Sequence, residues 1–266
     1  MRPNKVRERW DKGQTAVSAW LSIGNTYSAE MIGWSGVDCV TVDLQHGMTD
    51  IQTMIGMLQA IASTPATPFV RVPAYEPALL MKCLDAGAYG VICPMVESAA
   101  IAAAFVDATR YPPKGTRSFG PARGLLYGGA DYFTYADATI VRLAMIETSN
   151  GLAAVEAICG TDGLDGIFVG PMDLALTLGK SPALEPVEPE VQAAIDRCLR
   201  AARQCGKHVG IFCASGADAA RRSAEGHSFV VPNSDANILK RAVAAEITAA
   251  RRAAPAGALT PAAAPG

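Results

Sequence analysis

From near its start to near its end, the chain alternates short apolar runs with stretches of helical spacing. The runs lie at Thr15–Leu21, Cys39–Asp43, Pro68–Val72 and Gly90–Pro94, then at Val141–Glu147, Gly166–Val169, His208–Phe212 and Ser228–Pro232. Between them, Ile51–Ala62, Ala78–Ala86, Ala99–Thr109, Gly151–Cys159, Val191–Cys205 and Ala217–Glu225 repeat apolar residues at the helical period. Strand-then-helix repetition predicts a parallel sheet, and eight such units are the number that closes into a barrel. The runs VTVD (40–43), GIFVG (166–170) and FVVP (229–232) lack polar alternation, as strands covered on both faces do. The expected fold is therefore α/β: a single-domain (β/α)₈ TIM barrel over residues 1–253. An open doubly wound sheet competes, but it favours a G-x-G-x-x-G turn after the first strand, and here that strand ends in LSIGNTYS (21–28).

Composition narrows the function classes. Of 266 residues, half are hydrophobic and 18% charged, enough apolar material for a large core. A net charge of −2 leaves no basic footprint, so nucleic acid is not an expected partner. No apolar stretch is long enough to span a membrane, and the charged start MRPNKVRERWDKGQ has no signal-like region. Seven cysteines without a C-x-x-C pair read as small buried hydrophobes in a reducing compartment, so the cytoplasm is expected. Two longer connections, 110–130 and 178–189, read as functional loops. After a last helix at Ile238–Arg252, which closes the barrel or packs on a neighbouring subunit, the Ala/Pro-rich tail 254–266 reads as disordered.

In a barrel, chemistry collects at the C-terminal ends of the strands. Those ends carry Trp20 and Ser22, Asp43 to His46, Arg71, Glu97, Glu147, the turn Gly170-Pro171-Met172-Asp173, Phe212 and Asn233. Glu147 and Asp173, on consecutive strands, make a hard oxygen pair with room for water and substrate, which suits Mg²⁺ or Mn²⁺. Each alone could equally cap its following helix. The Gly170–Asp173 turn opens a helix whose free N–H groups suit a carboxylate. Arg71 needs a partner near a buried strand, either a substrate oxygen or a strand-end carboxylate. His46, three residues after Asp43, reads as an acid–base group with its orienting carboxylate; His208 and His227 read as structural.

Trp20, DLQHG (43–47), FVRVP (69–73), RYPPKGTRSFG (110–120), Ile146-Glu147-Thr148 and GPMDL (170–174) together resemble the HpcH/HpaI aldolase family, and the likeness runs from about Val6 to about Arg252. The resemblance implies a metal-dependent (class II) aldolase that adds a 2-oxo acid to an aldehyde through a metal-stabilised enolate, and cleaves the product in reverse. Glu147 and Asp173 would hold Mg²⁺ or Mn²⁺, with Co²⁺ or Zn²⁺ as further candidates. Arg71 would face the C2 oxygen, and His46 with Asp43 would form the acid–base dyad. The N–H groups of Met172 and Asp173, beside Gly170 and Pro171, would hold the carboxylate. Trp20 would wall the pocket and Phe212 would lie beside the aldehyde. The resemblance also implies a homo-hexamer, a trimer of dimers with the last helix exchanged, in which Asp85 reaches a neighbouring subunit's site.

Two departures stand out. The family often has Glu where this chain has Gln45, and Gln where it has Met145; loss of that amide suggests a pocket that takes hydroxypyruvate as well as pyruvate. A Schiff-base route would need a lysine at a strand's C-terminal end; Lys207 precedes strand 7 at the wrong end, and the other lysines are elsewhere. A citryl- or malyl-CoA-type lyase is the nearest alternative, with Arg117 and Arg123 available to hold CoA. A non-catalytic metal-binding barrel would lack one of the carboxylates or the dyad. A phosphoenolpyruvate enzyme would need a glycine run that is not evident.

Overall fold

The computed structural model describes residues 1–252; the expected tail at 254–266 lies outside them. Eight strands run β1 Ala16–Leu21, β2 Cys39–Asp43, β3 Thr67–Arg71, β4 Gly90–Cys93, β5 Val141–Ile146, β6 Gly166–Val169, β7 His208–Phe212 and β8 Phe229–Val231. All are parallel, pair in chain order, and close through β8 on β1. The barrel expected from the alternation is the barrel observed.

The first helices are α1 Lys5–Asp11, α2 Thr26–Gly33, α3 Ile51–Ala62, α4 Pro77–Asp85 and α5 Ala99–Thr109. The β5 side adds α6 Ala122–Gly128, α7 Tyr132–Thr139, α8 Ser149–Ala153 and α9 Val155–Cys159. The remainder are α10 Pro171–Thr177, α11 Pro189–Gln204, α12 Gly216–Glu225 and α13 Asp235–Arg252. Local chemistry starts several of them: Asn25, Asp50, Ser98, Thr148 and Ser215 each accept a first-turn N–H through the side chain.

Side chains inside the barrel interlock by size. Phe69, Phe168 and Phe229 fill the middle, with centroids 5.8 Å (Phe69–Phe229) and 6.1 Å (Phe168–Phe229) apart. Gly90 makes room for them, since a Cβ there would run into the Phe69 ring. Burying each ring contributes roughly 2–3 kcal/mol.

The charged amino-terminal segment forms α1 and stoppers the barrel's N-terminal end. Val6 and Trp10, one turn apart, enter the same core cluster as the barrel interior. Trp10 stacks on His208 at 3.7 Å and donates its indole N–H to the Ser228 carbonyl at 2.8 Å. The charged residues around this i, i+4 pair hide it from composition. Differences elsewhere are local. α2 is an addition to the expected helices, the long 110–130 connection contains α6, the aromatic segment after it forms α7, and 151–159 is two short helices. With the floor closed, the open end carries the strand termini.

Candidate active site

A cavity of about 320 Å³ opens at the C-terminal ends of the strands. Trp20, Asp43, His46, Arg71, Phe212 and the whole Gly170–Asp173 turn line it. Residues far apart in the chain thus converge on one space.

At its base Arg71 forks onto Asp43: Nε donates to Oδ1 at 2.8 Å and Nη2 to Oδ2 at 2.6 Å. The Trp20 indole N–H donates to Oδ2 at 3.2 Å, and the guanidinium lies 4.7 Å over the Trp20 ring. Burial pushes the Asp43 carboxyl up, but Arg71 and the N–H groups of Gln45 and His46 outweigh it and hold it below the usual range. The remaining arm of Arg71, Nη1, points to Met145 Sδ at 4.0 Å. A thioether is a weak acceptor, so this arm stays available to a substrate oxygen.

His46 departs from the expected dyad. Its backbone N–H, not its ring, donates to Asp43 Oδ1, at 3.3 Å. The imidazole is exposed at the cavity wall and, among the described residues, makes no hydrogen bond. The reason is competition: a bidentate guanidinium outbids an imidazole for the same carboxylate. Both readings of Arg71 therefore meet in one place, a carboxylate pair with one free donor arm.

Glu147 lies directly after β5, 2% exposed. Its Oε1 accepts the Met95 N–H at 2.8 Å, a geometry obtained by holding Met95 at φ 55°, the left-handed region that side chains avoid. Its Oε2 accepts no hydrogen bond among the described residues. Burial raises the Glu147 carboxyl above its ordinary value; the Met95 N–H and Arg71 oppose this, and the charge of Asp173 adds to it. Asp173, in the first turn of α10, faces the cavity. A Cβ on Gly170 would come within 3.0 Å of Glu147 Oε2 and 2.6 Å of Met145 Cε, so only glycine lets the turn lie against the carboxylate.

Two neighbouring carboxylates, one of them buried with an unpaired oxygen, fit a hard divalent cation. Among the described residues no three His, Cys, Asp or Glu side chains gather at one point. Water and substrate would have to complete the coordination.

Other residues singled out in the sequence lie away from this cavity. Asp85 ends α4 at the opposite face of the barrel, where it accepts from Arg117 Nη2 at 2.7 Å. Arg117 is 2% exposed and stacked on Tyr111; Arg123 donates to the Ala86 carbonyl. Neither arginine is free to grip a CoA at this chain's cavity, which corrects that expectation. No lysine lines it. Conversely, Phe168, Ser234 and Asn237 line it without having been expected there. Strand alternation in GIFVG places Phe168 inward, and N-S-D after β8 is a cap-type signal that points to the other two.

The family model described as HpcH/HpaI aldolase/citrate lyase matches residues 17–242. A hydroxypyruvate/pyruvate aldolase of Rhizorhabdus wittichii is 44% identical over 93% of this chain and 99% of its own. A 5-keto-4-deoxy-D-glucarate aldolase of Klebsiella pneumoniae is 38% identical over 90% and 94%. The crystal structure of an HpcH/HpaI aldolase/citrate lyase family protein from Burkholderia cenocepacia superposes with a TM-score of 0.86 at 34% identity, covering 93% of this chain and 98% of that one. Aldolases are carbon–carbon lyases, and the chain is an enzyme of that class. With its barrel and nearly its whole length matched, the chain belongs to the HpcH/HpaI aldolase/citrate lyase family.

Proposed function

We propose that the enzyme reversibly joins a 2-oxo acid, pyruvate or hydroxypyruvate, to an aldehyde, with a divalent cation, Mg²⁺ or Mn²⁺, held by Glu147 and Asp173. The observation that carries this reading is the unpaired Glu147 Oε2, buried against the Gly170 turn and within electrostatic reach of Asp173, behind a cavity lined by Asp173 and a free guanidinium arm. When bound, the cation supplies Lewis acidity toward the oxo acid's carbonyl oxygen.

The chain's own groups do the rest. The N–H groups of Met172 and Asp173 hold the oxo acid's carboxylate at the start of α10, and Gly170 and Pro171 let it approach. Arg71 Nη1 stabilises negative charge as it develops on the C2 oxygen. His46, directly or through a water, takes a proton from C3 and later returns one to the new alkoxide. Asp43 acts on the reaction by fixing Arg71, a different task from orienting the imidazole. Trp20 walls the pocket, Phe212 flanks the aldehyde, and Met145, which has no amide to bond the substrate oxygen, makes the pocket less selective between pyruvate and hydroxypyruvate. In a cytoplasmic homo-hexamer with exchanged last helices, Asp85 serves a neighbouring subunit's site.

The test is synthesis of a 4-hydroxy-2-oxo acid from pyruvate and an aldehyde with added Mn²⁺. Wild type is expected to form it, and Glu147→Ala/Asp173→Ala is expected to lose it. Turnover that survives the double substitution would end this reading.

A further inference from the structure

The cavity wall at the β1 and β8 ends is polar, and no step of the proposed aldol reaction uses it. β1 stands four places round the barrel from β5, which carries Glu147 at its end. From the β1 and β8 ends, Ser22, Ser234 and Asn237 reach the cavity.

A dense set of hydrogen bonds fixes this wall. Asp235, 8% exposed, accepts from Ser22 Oγ (2.9 Å), Ser22 N (2.8 Å), Ile23 N (3.2 Å) and Ala236 N (2.7 Å). Asn233 sits at φ 94°, in the left-handed region, 8% exposed. Its Oδ1 accepts from Ser234 N at 2.8 Å and Asn237 Nδ2 at 2.9 Å, while its Nδ2 donates to the Ala214 carbonyl at 2.8 Å. Strained backbone of this kind persists only where surrounding bonds hold it.

The bonding polarises what the wall presents. The Ser22 hydroxyl spends its single proton on Asp235, so only lone pairs remain to face the cavity. Asn237 commits one N–H to Asn233 and keeps its carbonyl oxygen and its second amide N–H uncommitted. Lone pairs and uncommitted amide and hydroxyl protons of this sort, with the Asp235 charge behind them, suit hydroxyl groups, which both donate and accept, over carboxylates, which only accept and carry a like charge. Arg71, bound to Asp43, is the only arginine or lysine lining the cavity, so a second substrate carboxylate meets no free cation among the described residues.

We propose that Ser22 and Asn237 recognise the incoming aldehyde and select acceptors carrying neutral hydroxyl groups over carboxylated ones, with Asn233 and Asp235 as positioning residues. This rests on the aldolase reading. A site that hydrogen-bonds a substrate hydroxyl strongly rejects the analogue lacking it, because its own polar groups are left unpaired.

The test pairs pyruvate and Mn²⁺ with three acceptors: glyceraldehyde, propionaldehyde and succinic semialdehyde. Wild type is expected to show kcat/KM for glyceraldehyde at least about tenfold above either of the others, short of the full discrimination of a closed hydroxyl site because Asn237 is exposed. Asn237→Leu and, separately, Ser22→Ala are expected to shrink the glyceraldehyde-to-propionaldehyde ratio to about threefold or less, mainly by raising the KM for glyceraldehyde. Equal use of the three acceptors by wild type, preference for succinic semialdehyde, or an unchanged ratio in both variants would overturn the assignment. Exchange of pyruvate methyl protons with D₂O, followed by NMR without aldehyde, separates the two levels. Exchange without acceptor selectivity defeats this inference alone, whereas absence of exchange defeats the aldolase reading and this inference with it.

Discussion

Asp43 and Arg71 are bonded twice, at 2.8 and 2.6 Å, and both are nearly sealed from solvent at 2% and 6% exposure. A buried pair of this kind is costly to break, since the survivor keeps its charge without a partner; the expected loss is about 3–5 kcal/mol. Asp43→Ala should therefore lower the melting temperature and cut kcat/KM together. Arg71→Lys keeps the charge but cannot fork, and is expected to lose at least about a hundredfold in kcat/KM, the usual cost of a missing oxyanion donor. Steady-state kinetics beside thermal denaturation checks both.

Gly170 offers a sharper probe of the acidic pair. Gly170→Ala drives a methyl toward Glu147 Oε2 and Met145 Cε, displacing the carboxylate without changing any ligand. We expect Mn²⁺ affinity to fall at least about tenfold, the scale on which displaced support of a metal ligand acts. Calorimetric titration of the folded variant measures this directly, and wild-type affinity would refute the geometry.

Chelation separates the metal route from a Schiff-base route. Exhaustive EDTA should abolish turnover, and Mn²⁺ or Mg²⁺ should restore it. Borohydride with pyruvate should leave the protein mass unchanged, because no lysine reaches the cavity.

His227 predicts the acid limb of stability. It is fully buried, its Nδ1 is 3.0 Å from the Arg222 carbonyl, and its Nε2 has no partner among the described residues. Burial, the largest influence, pulls its pKa from 6.5 down to about 4. Between those values the unfolded chain binds the proton and the folded one does not, so stability falls as pH drops from 6.5 toward 4, by about 3 kcal/mol. His227→Asn, which can still donate to Arg222, should flatten that slope in urea denaturation measured across this range.

The barrel is legible in the sequence because strands covered on both faces lose polar alternation and leave dense apolar runs. The acidic residues Glu147 and Asp173 and the cation Arg71 are legible for a related reason: a charge at the end of such a run sits where burial demands a partner. What escapes detection depends on competition or context. Nothing in DLQH says that Arg71, 28 residues on, takes the carboxylate expected beside the imidazole. The first helix escapes because charged residues surround its Val6–Trp10 pair. The wall at Ser234 and Asn237 escapes because a serine and an asparagine near a helix start look like caps until the barrel closes β8 onto β1.

The stopper formed by Val6 and Trp10 has a kinetic corollary. With the other end of the barrel filled among the described residues, the cavity at the strand ends is the face through which the proposed reactants would enter. If the oxo acid sits deepest against Glu147 and Arg71, as proposed, product-inhibition patterns should be those of a compulsory order in which it enters first and departs last.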